Sequence, residues 1–361
     1  MPLTKDPLTS RERVRLSLQP QVTDRIPIAM VCSGINYPAS QEFERFLIRE
    51  RGISLNAYLD SFIDIQSVEP PYVGPARPPG TDVWGVHRKA QSYGPAAYDE
   101  IDVHPLAGAT SIADLQRYPW PNPDWFDTST FAAHLDHLQS RKERCLMIHN
   151  GNIFETSWYM RGFEQIFLDL ALDPEFAHAL FQRVTDYYCA YFRKLLEAAD
   201  GRVDLAFTAD DLGGQTGLLM SLETWEDLIK PCHARLNKVV HEFGVKVIYH
   251  SDGSIAQAVP GLIDMGIDVL QALQFSAQGM DPLDLKSRFG QRLCFEGGVS
   301  VQTTLPFGTP EDVRQEVRHL IRILGKGGGY ILGPSHAIQA GTPPENIYAM
   351  FETALHYGEI H

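Results

Sequence analysis

The sequence predicts an α/β fold: a (β/α)8 TIM barrel, built as one domain with an elaborated N-terminal region. Three observations carry this expectation. Eight short β-rich runs recur along the chain, helix-patterned stretches alternate with them from residue 144 to 358, and the Gly-rich phosphate turn of an open doubly wound sheet is missing. The 361 residues suit a single large barrel. Residues 1–24 read as a helical extension and 25–361 as the barrel itself.

The strand candidates are "RIPIAMV" (25–31), "SFIDIQSV" (61–68, the weakest), "RCLMIHN" (144–150), "VDLAFTADD" (203–211), "VKVIYHSDG" (245–253), "IDVLQALQ" (267–274), "RLCFEGGV" (292–299) and "GGYILGPSH" (328–336). They are mostly continuous apolar runs, as strands covered on both faces should be. Helices follow a legible grammar. One long pattern breaks at Asp173-Pro174, with proline in a first-turn position. Ser221 is placed to cap the next, with Glu223 in its first turn, and that pattern ends at Gly244. "TPEDVRQEVRHLIRILGKGGG" has Thr309 as cap, Pro310 in first position and glycines to stop it. "TPPENIYAMFETALHYG" repeats the scheme. The glycines of "GKGGGY" (325–330) precede a strand, so they terminate a helix and do not cradle a phosphate. The Pro-rich region 69–123 lacks periodicity, with a hairpin expected around "DVWGVHRKAQSYGPAAY".

Composition narrows the function. Apolar residues are 44% and charged residues 21%, and 31 basic against 45 acidic side chains give −14. Nucleic acid and anionic membranes need a basic footprint, so neither is an expected partner. Five cysteines, odd in number, widely spread and without a CxxC pair, argue against a disulfide framework and for a reducing cytoplasm. The N-terminus shows no apolar signal segment, and no run is long enough to span a membrane.

In a barrel, chemistry sits at the C-terminal ends of strands. Those positions here hold Asn150, with Glu155 close behind, then Asp210 and Asp211, His250 and Asp252, Gln274, Glu296 and His336. Cys32 follows the first strand and could face the same rim, whereas Cys294 lies inside a strand and reads as a small core residue. Each has a structural alternative: Asp210-Asp211 could form an Asx turn or start a helix, and Glu155 could be a carboxylate favoured by a helix N-terminus. Six strands contributing together favour a functional rim. His-x-Asp on extended backbone points both side chains to one face, and His336 could complete a three-ligand site suited to zinc, Fe(II) or Mn(II). Glu155 or Glu296 would be a fourth ligand or a general base. Without metal, His250 and Asp252 would be an acid/base pair.

"HSDGSIAQAVPGLIDMGIDVLQALQ", "GMDPLDLKSRFGQRLCFEGGVSVQTTLPFGTPEDVRQEV" and "GGGYILGPSHAIQAGTPPENIYAMFETALHYG" resemble the uroporphyrinogen decarboxylase superfamily. "NIFETSWYMRGFEQIFLDLALDPEFAHAL" and "TADDLGGQTGLLMSLETWEDLIKP" extend the likeness. The resemblance implies a barrel with its site at the C-terminal rim. Its decarboxylase branch carries an "RQAGR"-type motif for substrate carboxylates, where this chain, after "DRIPIAM", has "VCSGINYPASQEF" and no arginine until Arg45.

The other branch, corrinoid-linked methyltransferases, binds zinc through His-x-Cys…Cys. His250 matches its histidine, Asp252 stands at the first cysteine and His336 near the second. The resemblance thus implies a methyltransferase or O-demethylase component moving methyl from a small methoxylated substrate to cobalamin. Asn150, Gln274 and Cys32 would then face substrate, while Glu155, Asp210, Asp211 and Glu296 orient it or move protons. The corrinoid signature "DxHxxG" is missing, so a separate corrinoid protein is the expected partner. A homodimer is common among such barrels. The alternatives are a metal-free decarboxylase of a small carboxylate and a non-catalytic tetrapyrrole-binding barrel.

Overall fold

In a computed structural model of the protein, which describes residues 7–32, 34–93 and 96–357, seven of the apolar runs pair side by side in parallel. They are β1 (Ile65–Ser67), β4 (Cys145–Asn152), β5 (Leu205–Ala209), β6 (Lys246–His250), β7 (Val269–Ala272), β8 (Cys294–Val299) and β9 (Tyr330–Pro334), in that spatial order. Between β1 and β4 the chain makes an antiparallel hairpin, β2 (His87–Tyr93) and β3 (Ala96–Val103). The hairpin falls where the sequence suggests one; its turn lies outside the described residues. No helix among the described residues is long and apolar enough to cross a membrane.

The sheet curls, and strand periodicity then sorts side chains into two cores. Ile65, Met147, Leu205, Ile248, Val269, Cys294 and Ile331 form an inner cluster, joined from below by Val14 of the helix Ser10–Ser17. Their neighbours, such as Val247, Leu270, Phe295 and Leu332, belong to the outer layer beneath the helices.

The first predicted strand, 25–31, forms no extended strand: only Ile28 bridges to Leu332 of β9. Yet Ala29 N donates to Leu332 O at 2.9 Å, and on the other side Asp64 N donates to Ile28 O at 2.9 Å, just before β1. Residues 26–29 therefore lie between the two edges of the sheet. Two charged clamps hold them there. Asp64, fully buried, accepts from Arg13 Nη1 at 2.8 Å, from Arg25 Nη1 at 2.8 Å and from the Ile28 N–H at 2.8 Å. The candidate at 61–68 shortens to three residues because 55–62 is helical.

The helix grammar holds in detail. Asp173 accepts from Phe176 N ahead of Pro174–Ala199, Ser221 accepts from Thr224 N, and Thr309 forms a reciprocal capping box with Asp312 at the head of Pro310–Leu324. Gly162, at φ 99°, separates two helices that the sequence runs close together, Ile153–Arg161 and Phe163–Leu172.

Candidate active site at the carboxyl ends of the strands

One layer above the inner cluster, the same alternation delivers polar groups. His250, Gln271 and Glu296 are consecutive partners across β6, β7 and β8. Each stands two residues past an inner-core side chain: Ile248, Val269 and Cys294. Gln271 is the functional residue that sequence reasoning passes over. It lies in the body of an apolar run and is 1% exposed, and its Oε1 meets His250 Nδ1. The signal was the register itself: a polar side chain two residues after Val269.

That contact fixes the imidazole. With Nδ1 held by the Gln271 carbonyl, Nε2 is left facing the rim, 3.5 Å from Asp211 Oδ1. Asp211 also accepts from Asp252 N at 2.9 Å, and Asp252 Oδ2 lies 3.9 Å from His336 Nε2. The His250 and His336 rings are 5.8 Å apart. Two triads share His250: Cys32, His250 and His336, and Asp211, His250 and Asp252. In each, the potential ligand atoms lie within 4.8 Å of one another. Among the described residues His250 is thus grouped with Asp252 and Asp211, and separately with His336 and Cys32; the expected trio of His250, Asp252 and His336 is not itself one of these groups. The chain leaves β7 through Ala272 (φ 94°) and Leu273 (φ 59°), left-handed backbone in residues other than glycine.

Burial sets the charges here. For His250 burial opposes protonation, but the hydrogen bond to Asp211 and the surrounding negative charge outweigh it and raise its pKa well above the usual value. Burial pushes the Asp252 carboxyl up. Asp211 is lowered despite burial, through its hydrogen bond to His250 and the positive charge there.

Glu155 is raised to about 7, first by burial and then by Asp211 and Asp210. It accepts from Asn152 Nδ2 at 2.6 Å and from Tyr159 OH at 2.8 Å. Glu296 is raised to about 8 by burial, and its Oε2 has no hydrogen-bond partner among the described residues. Gly333 makes room for it, since a Cβ there would come within 2.8 Å of Glu296 Oε1.

Other predicted residues are placed differently. Asp210 is wholly buried; its two oxygens accept the N–H groups of Phe154 and Glu155 at 2.8 Å each, and His233 Nε2 contacts Oδ2. Its carboxylate anchors the start of the helix carrying Glu155, a role in keeping with the macrodipole. Gln274 binds Gln215, Gln302 and the Gly253 N–H. Asn150 is exposed, at φ 83°, on the wall of a cavity beside Glu155.

A pH dependence follows for the metal-free protein. Glu155 and Glu296 titrate near 7 and 8 when folded, against an ordinary 4.5. The folded state therefore holds protons that the unfolded chain has released. The stability from this difference is present at pH 4.5 and below, and is lost as pH rises through 7 to 8. Each group contributes a slope of about 1 kcal/mol per pH unit within its window. Denaturant titrations from pH 5 to 8.5 should show this decline and a flatter profile for Glu296→Gln; equal slopes in the two proteins would exclude Glu296 as a source.

An α/β protein with a curled parallel sheet and ionisable residues gathered at the strands' carboxyl ends belongs to the broad class of barrel-like proteins with a site at that rim. The chain is a member of the uroporphyrinogen decarboxylase (URO-D) family, whose model matches residues 107–357. It is 30% identical over 196 residues to a methylated-thiol–coenzyme M methyltransferase of Methanosarcina mazei, covering 54% of this chain and 49% of that one. A uroporphyrinogen decarboxylase of Anaeromyxobacter sp. is 27% identical, covering 54% and 52%. The chain spans about half the length of these relatives. A solved methyltransferase from Methanosarcina mazei superposes with a TM-score of 0.67 at 16% identity, over 97% of this chain and 99% of that one. At that identity the likeness shows the fold alone.

Proposed function

We propose that this protein is an enzyme, a metal-dependent methyltransferase or O-demethylase component that passes methyl from a small methoxylated substrate to a corrinoid on a partner protein. In it, residues 26–29 serve as the eighth strand of a (β/α)8 barrel. The observation that carries the proposal is His250, held at Nδ1 by Gln271 with Nε2 3.5 Å from Asp211, and shared by two groups that add a second carboxylate, a second imidazole and a thiol.

The donor set fits zinc. Two ligand atoms about 2.1 Å from one tetrahedral ion lie about 3.4 Å apart, close to the 3.5 Å between His250 and Asp211 and the 3.9 Å between His336 and Asp252. His250 would hold the ion together with Asp211 and Asp252, or together with Cys32 and His336. The hydrogen bond from His250 Nδ1 to the Gln271 carbonyl is the outer support that metal-bound imidazoles need. Zinc, when bound, supplies Lewis acidity to a substrate oxygen. Glu155, protonated near neutrality, is placed by Asn152 and Tyr159 to give its proton to the departing oxygen as the methyl group leaves.

Protein purified without a His-tag should contain about one equivalent of divalent metal and should methylate Co(I) cobalamin in the presence of a methoxylated substrate. The neutral acids Glu155 and Glu296 also suit the second reading, a metal-free decarboxylase. Protein that stays metal-free on titration, yet releases CO2 from a small carboxylate, would establish that reading and remove the first.

A further inference from the structure

A cavity of about 290 Å³ is lined by the segment linking β1 to β4 on one side and by Asn152, Tyr159 and the helix Pro174–Ala199 on the other. Ligand sites for drug-sized molecules run from about 300 to 1,000 Å³, so this one has room for a single substituted ring and not for a tetrapyrrole. Its walls are aromatic. Trp84 and Phe126 come from the linking segment, Tyr187 and Tyr191 from the helix Pro174–Ala199. Trp84 and Tyr187 meet edge to face at 4.7 Å, Phe126 and Tyr191 at 4.9 Å, and the two tyrosines stack at 5.8 Å with planes 8° apart. Such rings present faces and edges to a flat guest.

The charge is also specific. Arg88 is neutralised by Asp82 at 2.7 Å and lies over the Tyr159 ring. Arg77, exposed, donates to Thr81 O at 3.0 Å and lies over Tyr72, but has no carboxylate partner among the described residues. The lining therefore carries one uncompensated guanidinium on a chain whose net charge is −14. At the inner end stand Asn152 and Tyr159, the two side chains that hold Glu155.

We infer that this cavity binds a planar, single-ring aromatic carboxylate, with its ring among Trp84, Phe126, Tyr187 and Tyr191, its carboxylate on Arg77, and its far end toward Asn152 and Tyr159. The segment between β1 and β4 is thereby a specificity element. The inference deepens the proposed methyl transfer by naming its substrate class, and rests on it only for what happens at the inner end; binding needs no turnover.

Calorimetry of the full chain with benzoate, benzamide and cyclohexanecarboxylate tests it. Benzoate should bind more tightly than either of the others. Arg77→Gln, a change at an exposed residue, should weaken benzoate at least about tenfold, the loss of one charge-assisted hydrogen bond, and leave benzamide unchanged. Trp84→Leu should weaken both aromatic probes. No benzoate binding at millimolar concentration, equal binding of cyclohexanecarboxylate, or an Arg77→Gln protein that binds benzoate as the wild type does would each overturn the inference. Benzoate binding retained in a protein unable to transfer methyl would uphold the pocket while the reaction fails.

Discussion

His250→Ala protein should fold and retain little bound metal. His250 is common to both triads, so its loss leaves neither Cys32 with His336 nor Asp211 with Asp252 able to supply three ligands from the set. Metal content should drop from about one equivalent to a small fraction of that, and methyl transfer should fall at least about 100-fold, since even outer-support substitutions at such centres cost 10- to 100-fold. Elemental analysis beside Co(I) methylation reads both quantities. Asp252→Ala should follow the same course less completely, because Asp211 remains beside His250. A His250→Ala protein with undiminished metal would place the ion elsewhere; full activity would end the proposal.

Asp64→Ala is the severe case for stability. Its carboxylate is shared by two buried guanidiniums, those of Arg13 and Arg25, and by a backbone N–H. Removing it takes a buried carboxylate from both guanidiniums, although Asp24 still pairs with Arg13 at 2.7 Å, and breaking a buried pair costs about 3–5 kcal/mol. The exposed pair of Arg49 and Glu50 is the control: Glu50→Ala should change stability by less than about 1 kcal/mol. Urea unfolding of both variants decides the matter. An Asp64→Ala protein within about 1 kcal/mol of wild type would show that the clamp is not what holds residues 26–29 in place.

The helices were the most legible part of the sequence, because caps act within four residues: Asp173, Ser221 and Thr309 each capped where local chemistry placed them. Strands in the chain's second half were equally clear, since apolar runs there are covered on both faces. The first strand was not. Residues 25–31 look like strand by composition, but only Ile28 pairs, and what fixes the segment is a charge network reaching Asp64, 36 positions away. At the rim, the strand-end rule pointed to His250, Asp252 and His336, which the fold divides between two groups that share His250. Gln271 escaped because its meaning is its register with His250 and Glu296, a property of three strands together. Cys32 reads as isolated because the histidines it meets lie hundreds of residues further on. Asp210 and Asp211 are adjacent in sequence, yet one faces a helix start and the other His250.

The placement of residues 26–29 between β1 and β9 also orders events in time. Ile28 is made early, but Leu332, its partner, emerges from synthesis some 300 residues later. Until then the side of residues 26–29 that faces β9 keeps unpaired backbone groups, the condition under which strands seek partners in other chains. Contacts so distant in sequence form slowly. Closure between residues 26–29 and β9 thus waits on one of the last strands, and a chain released short of residue 332 should keep that side of the sheet open to other chains.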